Sequence, residues 1–198
     1  MEIILATWNI SKVEWLAKGL SSLGLEIRPL NQNEIEDVEE NGKTSAENAL
    51  IKIRAVGATK DAIIIGEDSI LSINALDGFP GVKTVRWSNG TDDDRSVKLL
   101  DKLKDTPDQD RGAKFQSAIA VLFPDGTEET VIGELYGKIS NKLIGEHGSG
   151  YQRIFMLPNG KSIAQSGSSL LKSGDHRDQS IKKTTIMIQK WLKQNNND

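Results

Sequence analysis

A run of three isoleucines that leads almost directly into two acidic residues most constrains how this chain can fold. Ile63, Ile64 and Ile65 are β-branched and apolar, so they predict a short strand that is buried on both faces. Glu67 and Asp68 follow after one glycine. Because ligands of α/β proteins bind beyond the carboxyl ends of strands, the pattern places two candidate functional carboxylates at such an edge. By themselves, these residues fit a strand end with solvated acids equally well.

Composition narrows the class of protein. The 198 residues are most simply one domain, and 37% hydrophobic with 27% charged residues is typical of a globular chain. The net charge of −3 argues against a binder of polymeric nucleic acid, but it leaves small phosphorylated ligands open. With no cysteine, disulfides and thiolate metal sites are excluded, and with two histidines a zinc site is disfavoured. No apolar run approaches the about 20 residues of a membrane span, and no signal peptide is evident, so we expect a cytoplasmic protein.

The first half of the chain predicts alternating strands and helices. A strand over residues 2–6 precedes an amphipathic helix, whose apolar residues recur at i, i+3, i+4 and i+7. This first helix is expected to end near Gly24. A second helix begins at Thr44, which with Glu47 forms a capping-box signature, and ends at Gly57. A third begins at Thr91 with Asp94 and ends near Leu103. In the second helix we expect a buried stripe of Ala46, Ala49, Leu50 and Ile53, with Asn48 and Lys52 directed elsewhere.

The second half predicts a hairpin followed by loops and a last helix. Strands over 114–123 and 130–139 are joined by a turn at 124–126, and a short extended segment over 85–87 precedes them. Residues 145–151 are a glycine-rich loop, 154–157 resume an apolar strand, and 172–177 form a polar loop. The last helix is expected to bury Ile181, Thr185, Ile188 and Leu192.

Two lysines are candidate phosphate ligands. The free N–H groups at the start of the first helix favour an anion, and Lys12 adds a full charge there. A plain strand-to-helix connection, in which Asn9 only caps the helix, remains open. Lys52 on the second helix is the other candidate. The acidic run over 34–40 fits a solvated loop, although one of its members could reach a metal.

Seven short motifs follow one another between residues 7 and 177. They are Thr7-Trp8-Asn9-Ile10-Ser11-Lys12, Glu47-Asn48-Ala49-Leu50-Ile51-Lys52, Glu67-Asp68-Ser69, Gly78-Phe79-Pro80-Gly81, Arg111-Gly112-Ala113-Lys114-Phe115, Gly148-Ser149-Gly150-Tyr151-Gln152-Arg153 and Asp175-His176-Arg177. In this order they resemble the inosine triphosphate pyrophosphatase family, which hydrolyses aberrant purine nucleoside triphosphates to monophosphate and pyrophosphate. The resemblance covers nearly the whole chain.

The resemblance implies a fold, an activity and a set of site residues. The implied fold is α/β, an elongated mixed β-sheet flanked by helices, in two lobes with a central cleft, and the implied assembly is a homodimer. The implied activity is Mg²⁺-dependent hydrolysis of non-standard purine nucleotides (ITP, dITP, XTP), with Asp68 as general base and Asp68 with Glu40 as metal ligands. Glu40 is preferred to Glu39 because it stands two residues before Gly42, as in the family. The implied substrate-binding residues are Thr7, Asn9, Lys12, Lys52, Ser69, Ser149, Gly150, Tyr151, Gln152, Lys172, His176 and Arg177.

The departures from the family pattern concentrate in the expected base pocket. Trp8 stands where relatives carry a small residue, and Ser149 replaces the ring that would stack on the base. Gln152-Arg153 replaces Asp-Pro, and Asp175 replaces the serine before His-Arg. The phosphate and metal motifs are retained, so hydrolysis is expected while base specificity stays open. The alternatives are a nucleotide-binding or sensor protein with little turnover, and a pyrophosphatase shifted to pyrimidines or modified purines.

Overall fold

A computed structural model describes residues 1–31, 35, 38–167 and 174–195 of the chain. Its described helices and strands are β1 (Glu2–Leu5), α1 (Ile10–Leu20), β2 (Glu26–Pro29), α2 (Ser45–Val56), β3 (Ala62–Ile73), β4 (Pro80–Gly81), α3 (Asp92–Lys102), β5 (Gly112–Leu122), β6 (Glu128–Ile139), β7 (Phe155–Met156), α4 (Ile163–Ser166) and α5 (His176–Asn195). The described strands form a mixed sheet in the order β2-β1-β3-β5-β6-β7, and β4 pairs with β3. The predicted α/β class with a mixed sheet and flanking helices is confirmed. None of the described helices combines the length and apolarity needed to cross a membrane.

The chain forms two compact units. The first comprises residues 1–68, 117–133 and 177–198, and the second comprises residues 69–116 and 134–176. The organisation as a single functional domain stays a prediction.

Strand alternation sorts the core of the first unit into two apolar layers. Odd-numbered residues of β1, β3 and β5 pack with α1 and α5 in a cluster of Ile3, Leu5, Ile63, Ile65, Ile119, Val121, Leu16, Leu20, Ile181 and Ile188. Even-numbered residues of the same strands pack with α2 in a cluster of Ile4, Ala6, Ala62, Ile64, Ala118, Ala120, Leu122, Ala49 and Ile53. Within residues 62–68, the part of β3 that belongs to the first unit, a side chain therefore faces α1 and α5 if its number is odd, and α2 if its number is even.

Strand β3 is longer than the sequence predicts. It was expected to end before the acids, but its 12 residues run through Glu67 and Asp68 to Ile73. Its first half pairs in parallel with β1, from Ala62 opposite Glu2 to Ile65 opposite Leu5, and its second half pairs antiparallel with β4. In the sheet β3 lies between β1 and β5, and pairing with neighbouring strands rather than the two charges decides where it ends. The candidate carboxylates lie in the middle of a strand.

Most helix boundaries agree with the predicted caps. Thr44 accepts a hydrogen bond from the Glu47 N–H, and Thr91 forms a complete capping box with Asp94. Gly24 follows a short 3₁₀ turn after α1 with φ of 67°, a conformation that glycine adopts without strain.

One strand is missed and three local predictions are wrong. Strand β2 was not predicted, since none of its four residues is buried, two are exposed, and it ends in a proline. Residues 85–87 are not extended but lie in hydrogen-bonded turns, with the N–H groups of Arg86 and Trp87 donating to Lys83 O. The apolar segment 154–157 contributes only the two residues of β7. The last helix begins at His176, inside the expected loop, and it buries Thr184 in place of Thr185.

The second unit is built on its own apolar cluster. That cluster contains Leu71, Ile73, Leu99, Leu103, Ala113, Ile139, Tyr151, Ile154, Phe155 and Leu157. Arg111, 3% exposed, donates from its guanidinium to the carbonyls of Leu103, Thr106 and Ser140. These bonds join the end of α3 to both strands of the hairpin, so the arginine of the fifth motif has a structural role here.

Candidate active site

Asp68 lies on the face of β3 that packs against α2. Its side chain accepts a hydrogen bond from Asn48 over 3.1 Å, from Nδ2 to Oδ2. Lys52 Nζ lies 4.0 Å from Asp68 Oδ1 and 3.1 Å from Glu40 Oε1. Asp68 is 7% exposed, so water has little access to its carboxylate. Its negative charge is stabilised instead by the Asn48 amide and the Lys52 ammonium group.

Two glycines allow α2 and the preceding loop to approach the acid. A Cβ atom at Gly66 would lie 2.5 Å from the carbonyl oxygen of Ala49, so only glycine fits this contact between β3 and α2. Gly42 N donates to Asn48 Oδ1 over 2.9 Å, and a Cβ at Gly42 would lie 2.6 Å from the same atom. The close approach brings Asn48 and Lys52 within reach of β3.

Glu67 lies on the opposite face of β3, towards α1 and α5, and is 1% exposed. Its Oε2 pairs with Lys12 Nζ over 2.9 Å, and its Oε1 accepts a hydrogen bond from Ser117 Oγ over 3.2 Å. The Glu67 carbonyl oxygen accepts from both lysines, over 3.4 Å from Lys12 Nζ and 3.0 Å from Lys52 Nζ. The two ammonium groups thus meet at one point of the strand although they come from different helices.

The electrostatics of the site are governed by burial and by these pairings. Burial raises the pKa of Asp68 above its ordinary value, and the charges of Lys52 and Lys12 and the Asn48 hydrogen bond only partly oppose this. Burial also disfavours the charge of Lys12, but the Glu67 charge and hydrogen bond outweigh it, so the pKa of Lys12 is raised. The site therefore combines a firmly charged lysine with a carboxylate whose proton affinity is increased.

Thr7 and Asn9 shape the loop before α1. Asn9 is the N-cap residue, and its Oδ1 accepts from Lys12 N over 3.2 Å. Thr7 Oγ1 accepts from Asn9 N over 3.2 Å. Asn9 therefore caps the helix, and its role in binding phosphate stays a prediction. The same hydrogen bonds hold the start of α1 beside Lys12.

The donor set suits Mg²⁺ as a cation shared with a substrate. Glu40 and Asp68 offer carboxylate oxygens, which hard cations prefer, and Mg²⁺ is commonly held by one or two carboxylates together with substrate phosphates. Within the described ranges, no group of three or more His, Cys, Asp or Glu residues could hold a metal ion by itself. The acidic residues Glu34, Glu36 and Asp37 lie outside the described residues.

The structure places the remaining described site residues of this set on β3 and in the glycine-rich loop. Ser69 is half-buried on β3, and Ser149 is exposed. Gly150 N donates to Asp92 Oδ2 over 2.6 Å, and Gln152 Oε1 accepts from Ser149 N over 3.2 Å. Lys172 lies outside the described residues.

His176 and Arg177 pack against aromatic rings within different units. The ring of His176 stacks on Phe115 with centroids 5.1 Å apart, in the second unit. The Arg177 guanidinium lies 5.4 Å from the Trp15 ring centre, in the first. Their roles in reading a base stay predictions.

Tyr151 and Trp8 are packing residues in this structure. Tyr151 is 2% exposed, and its hydroxyl accepts from Trp87 Nε1 and donates to Thr84 O, each over 2.7 Å. This burial leaves the ring almost no surface to offer a substrate. Trp8, half-buried, packs against the α2-side cluster of the first unit.

Sequence reasoning missed three residues of the site. Asn48 was expected to point away, but it is 1% exposed and bonded to Asp68. Its spacing of four residues from Lys52 places both on one helix face, a signal that could have found it. Ser117 and Ser180 are both fully buried; Ser117 contacts Glu67, Ser180 contacts Ser117, and no local pattern marks either.

Fold and site together match one class of protein. A sequence model of the Ham1 family matches residues 3–186, and this chain belongs to that family. Among its relatives, the non-canonical purine NTP pyrophosphatase homolog of Halalkalibacterium halodurans is 38% identical over 192 residues, which cover 96% of this chain and 97% of that protein. The dITP/XTP pyrophosphatase of Symbiobacterium thermophilum is 37% identical over 90% of each chain.

Solved structures agree with this assignment. A HAM1 protein from Coxiella burnetii superposes with a TM-score of 0.86 at 30% identity, covering 96% of this chain and 99% of that one. The nucleoside-triphosphatase, or dITP/XTP pyrophosphatase, from Mycobacterium abscessus gives a TM-score of 0.75 at 34% identity, covering 88% and 95%. The family and the fold predicted from the sequence are both confirmed.

Proposed function

We propose that this chain is a Mg²⁺-dependent pyrophosphatase that hydrolyses non-canonical purine nucleoside triphosphates, such as ITP, dITP and XTP, to monophosphate and pyrophosphate. The observation that carries the proposal is the buried carboxylate of Asp68, held by Asn48 and Lys52 next to Glu40. The names of the relatives, which include dITP/XTP pyrophosphatases, support the same substrates.

Asp68 acts as the general base. Its position in the middle of a strand fixes the carboxylate, and the nearby charges of Lys52 and Lys12 favour the ionised form, which can accept a proton. It orients the water that attacks the α-phosphorus and takes the proton of that water. Asn48 holds Oδ2, which leaves Oδ1 as the oxygen that faces Lys52 and the water.

Lys12 and Lys52 bind the phosphate oxygens. Each ammonium group has three N–H donors, and the contacts to Glu67 and Glu40 direct two of them to protein acceptors. The third donor of each group serves the substrate, together with the start of α1 behind Thr7 and Asn9. Glu40 and Asp68 would hold Mg²⁺, which when bound would supply positive charge to offset that of the phosphates.

The base-side residues complete the proposal. The family resemblance implies further contacts to the sugar and base of the nucleotide. The candidates are Ser69, Ser149, Gly150, Gln152, Lys172, His176 and Arg177. The protein is proposed to act as a homodimer, which light scattering coupled to size-exclusion chromatography would test by the mass in solution.

A screen for pyrophosphate release tests the proposed function. Purified protein with Mg²⁺ is given ITP, dITP, XTP and each common nucleoside triphosphate, and pyrophosphate and monophosphate are quantified. We expect the highest kcat/KM for the non-canonical purines. Preference for dUTP, dTTP or UTP would indicate a pyrimidine-directed enzyme, and tight calorimetric binding without any pyrophosphate release would indicate a binding protein. Either result would overturn the proposal.

A further inference from the structure

Glu67 is a buried carboxylate whose two oxygens have different partners. Oε2 pairs with Lys12 on α1, and Oε1 accepts the hydroxyl proton of Ser117 on β5. A carboxylate that is 1% exposed is stable only when it is paired and hydrogen-bonded. The Ser117 hydrogen bond fixes the rotation of the carboxylate, and thereby fixes where Oε2 holds the ammonium group of Lys12.

Ser117 is itself held by a second buried serine. Ser180 Oγ on α5 lies within donating distance of Ser117 Oγ, at 3.1 Å, and of Arg177 O, at 2.9 Å, and its single proton serves one of them at a time. Both serines are fully buried, and apolar residues such as Ile65, Ile119 and Ile181 occupy the same layer. A hydroxyl in an apolar layer is unfavourable without a partner, and the Glu67 carboxylate provides one for Ser117, which in turn lies beside Ser180.

We propose that Ser117 and Ser180 are positioning residues for Lys12, which act through Glu67 on the binding of the substrate's phosphates. This proposal rests on the proposed function, because it takes Lys12 as a phosphate ligand. The chain of contacts runs from α5 through β5 and β3 to α1, all within the first unit. Loss of the hydroxyl of Ser117 lets the Glu67 carboxylate rotate, so Lys12 is no longer held in one position and phosphate binding weakens.

The test measures binding of inorganic tripolyphosphate, a probe that has the phosphates without the base. For variants that bind the probe weakly, binding is measured from the rise in melting temperature at millimolar tripolyphosphate, because a ligand that binds the folded state raises that temperature. We expect Ser117→Ala to raise the Kd for tripolyphosphate by roughly three- to tenfold. This is less than the full effect of losing a hydrogen bond to a charged group, because Ser117 acts on the ligand only through Glu67 and Lys12. Ser180→Ala should act in the same direction with a smaller effect. The KM for ITP should rise with the Kd, and kcat should change less.

Thr184→Val is the matched control. It removes a buried hydroxyl one turn further along α5, where Thr184 Oγ1 donates only within the helix, to Ser180 O over 2.9 Å. This variant should leave tripolyphosphate binding unchanged. The decisive comparison places Ser117→Ala in a Lys12→Met background, where it should have no further effect on the Kd if Ser117 acts through Lys12.

The outcomes separate this proposal from the proposed function. An unchanged Kd in Ser117→Ala, the same loss in the Lys12→Met background, or a wild type that does not bind tripolyphosphate would overturn the positioning role. Wild-type binding of tripolyphosphate without pyrophosphate release from any nucleotide would overturn the proposed function only. If Ser117→Ala does not fold, the same comparison is made with Ser180→Ala.

Discussion

The side-chain amide of Asn48 donates a hydrogen bond over 3.1 Å to Asp68, the carboxylate proposed as the general base. The oxygen of the same amide accepts from Gly42 N, two residues after the proposed metal ligand Glu40. One side chain therefore ties the loop that carries Glu40 to the strand that carries Asp68. Both carboxylates lie within 4.0 Å of Lys52 Nζ.

Replacing Asn48 should weaken both stability and turnover. Asn48→Ala removes a buried hydrogen bond to a carboxylate, which contributes about 1.5–3 kcal/mol, so the free energy of unfolding should fall by that order. The rate kcat should fall as well, because Asp68 and Glu40 lose their common support. Urea denaturation and steady-state kinetics measure the two effects, with the exposed Asn41→Ala as control. Equal unfolding midpoints for Asn48→Ala and wild type would contradict this role.

The sequence predicted the features that depend on neighbouring residues. The caps at Thr44 and Thr91 and the turn after β5 follow from side chains only a few positions apart, and the structure has them. Strand β3 was recognised from its three isoleucines, yet its continuation through Glu67 was not, because pairing with distant strands decides where a strand ends.

The residues of the candidate site also fall into those that local motifs predicted and those that only the fold brings together. Asp68, Lys12 and Lys52 were predicted from motifs and lie together. Ser117 and Ser180 come from segments 63 residues apart, so no local periodicity could connect them with Glu67. Tyr151 lies within a motif, but its burial depends on Trp87 and Thr84, which precede it by more than sixty residues.

Arg111 should be far more important for stability than an exposed arginine. Arg111→Ala leaves three buried carbonyls without their charged donor, and the free energy of unfolding should fall by at least about 3 kcal/mol. Arg111→Lys should be intermediate, since lysine lacks the planar fork. The control is Arg54→Ala, which removes an exposed ion pair with Glu128 and should change stability far less. Similar unfolding midpoints for the Arg111 and Arg54 variants would contradict the account.

Glu134 should make stability depend on acid pH. Hydrogen bonds from Lys114 and Tyr136, stronger than the opposing effect of burial, lower the pKa of Glu134 to about 2 from an ordinary 4.5. A lowered pKa in the folded state means that this stabilisation is complete above about 4.5 and is lost as the pH falls towards about 2. The difference in unfolding free energy between wild type and Glu134→Gln, measured by urea denaturation across this range, should therefore shrink on acidification. A difference that stays constant or grows would refute the assignment.

Ser149 offers a test of the altered base-side loop. It is exposed, and the buried Tyr151 cannot replace the missing ring. Stacking of a base on an aromatic ring contributes about 1–3 kcal/mol, so Ser149→Phe should lower the KM for ITP by roughly tenfold. Binding of tripolyphosphate, which has no base, should be unchanged in the same variant. An unchanged or higher KM for ITP would show that the base does not bind at this loop.

We propose Asp68 as the general base of a nucleoside triphosphate pyrophosphatase. Asp68→Asn keeps the size of the side chain and removes its charge and its ability to accept a proton. Glu67→Gln is the comparison, because Glu67 faces the opposite side of β3 and supports Lys12, and it should lower kcat less than Asp68→Asn does.

The most direct measurement is the rate of pyrophosphate release from ITP at saturating Mg²⁺ by wild type and Asp68→Asn, with the fold of each checked by circular dichroism. Loss of a general base predicts a fall in kcat of about 10²–10⁴-fold, with nucleotide binding largely retained. A kcat for Asp68→Asn within a few-fold of the wild-type value would contradict the account and remove Asp68 from the chemistry.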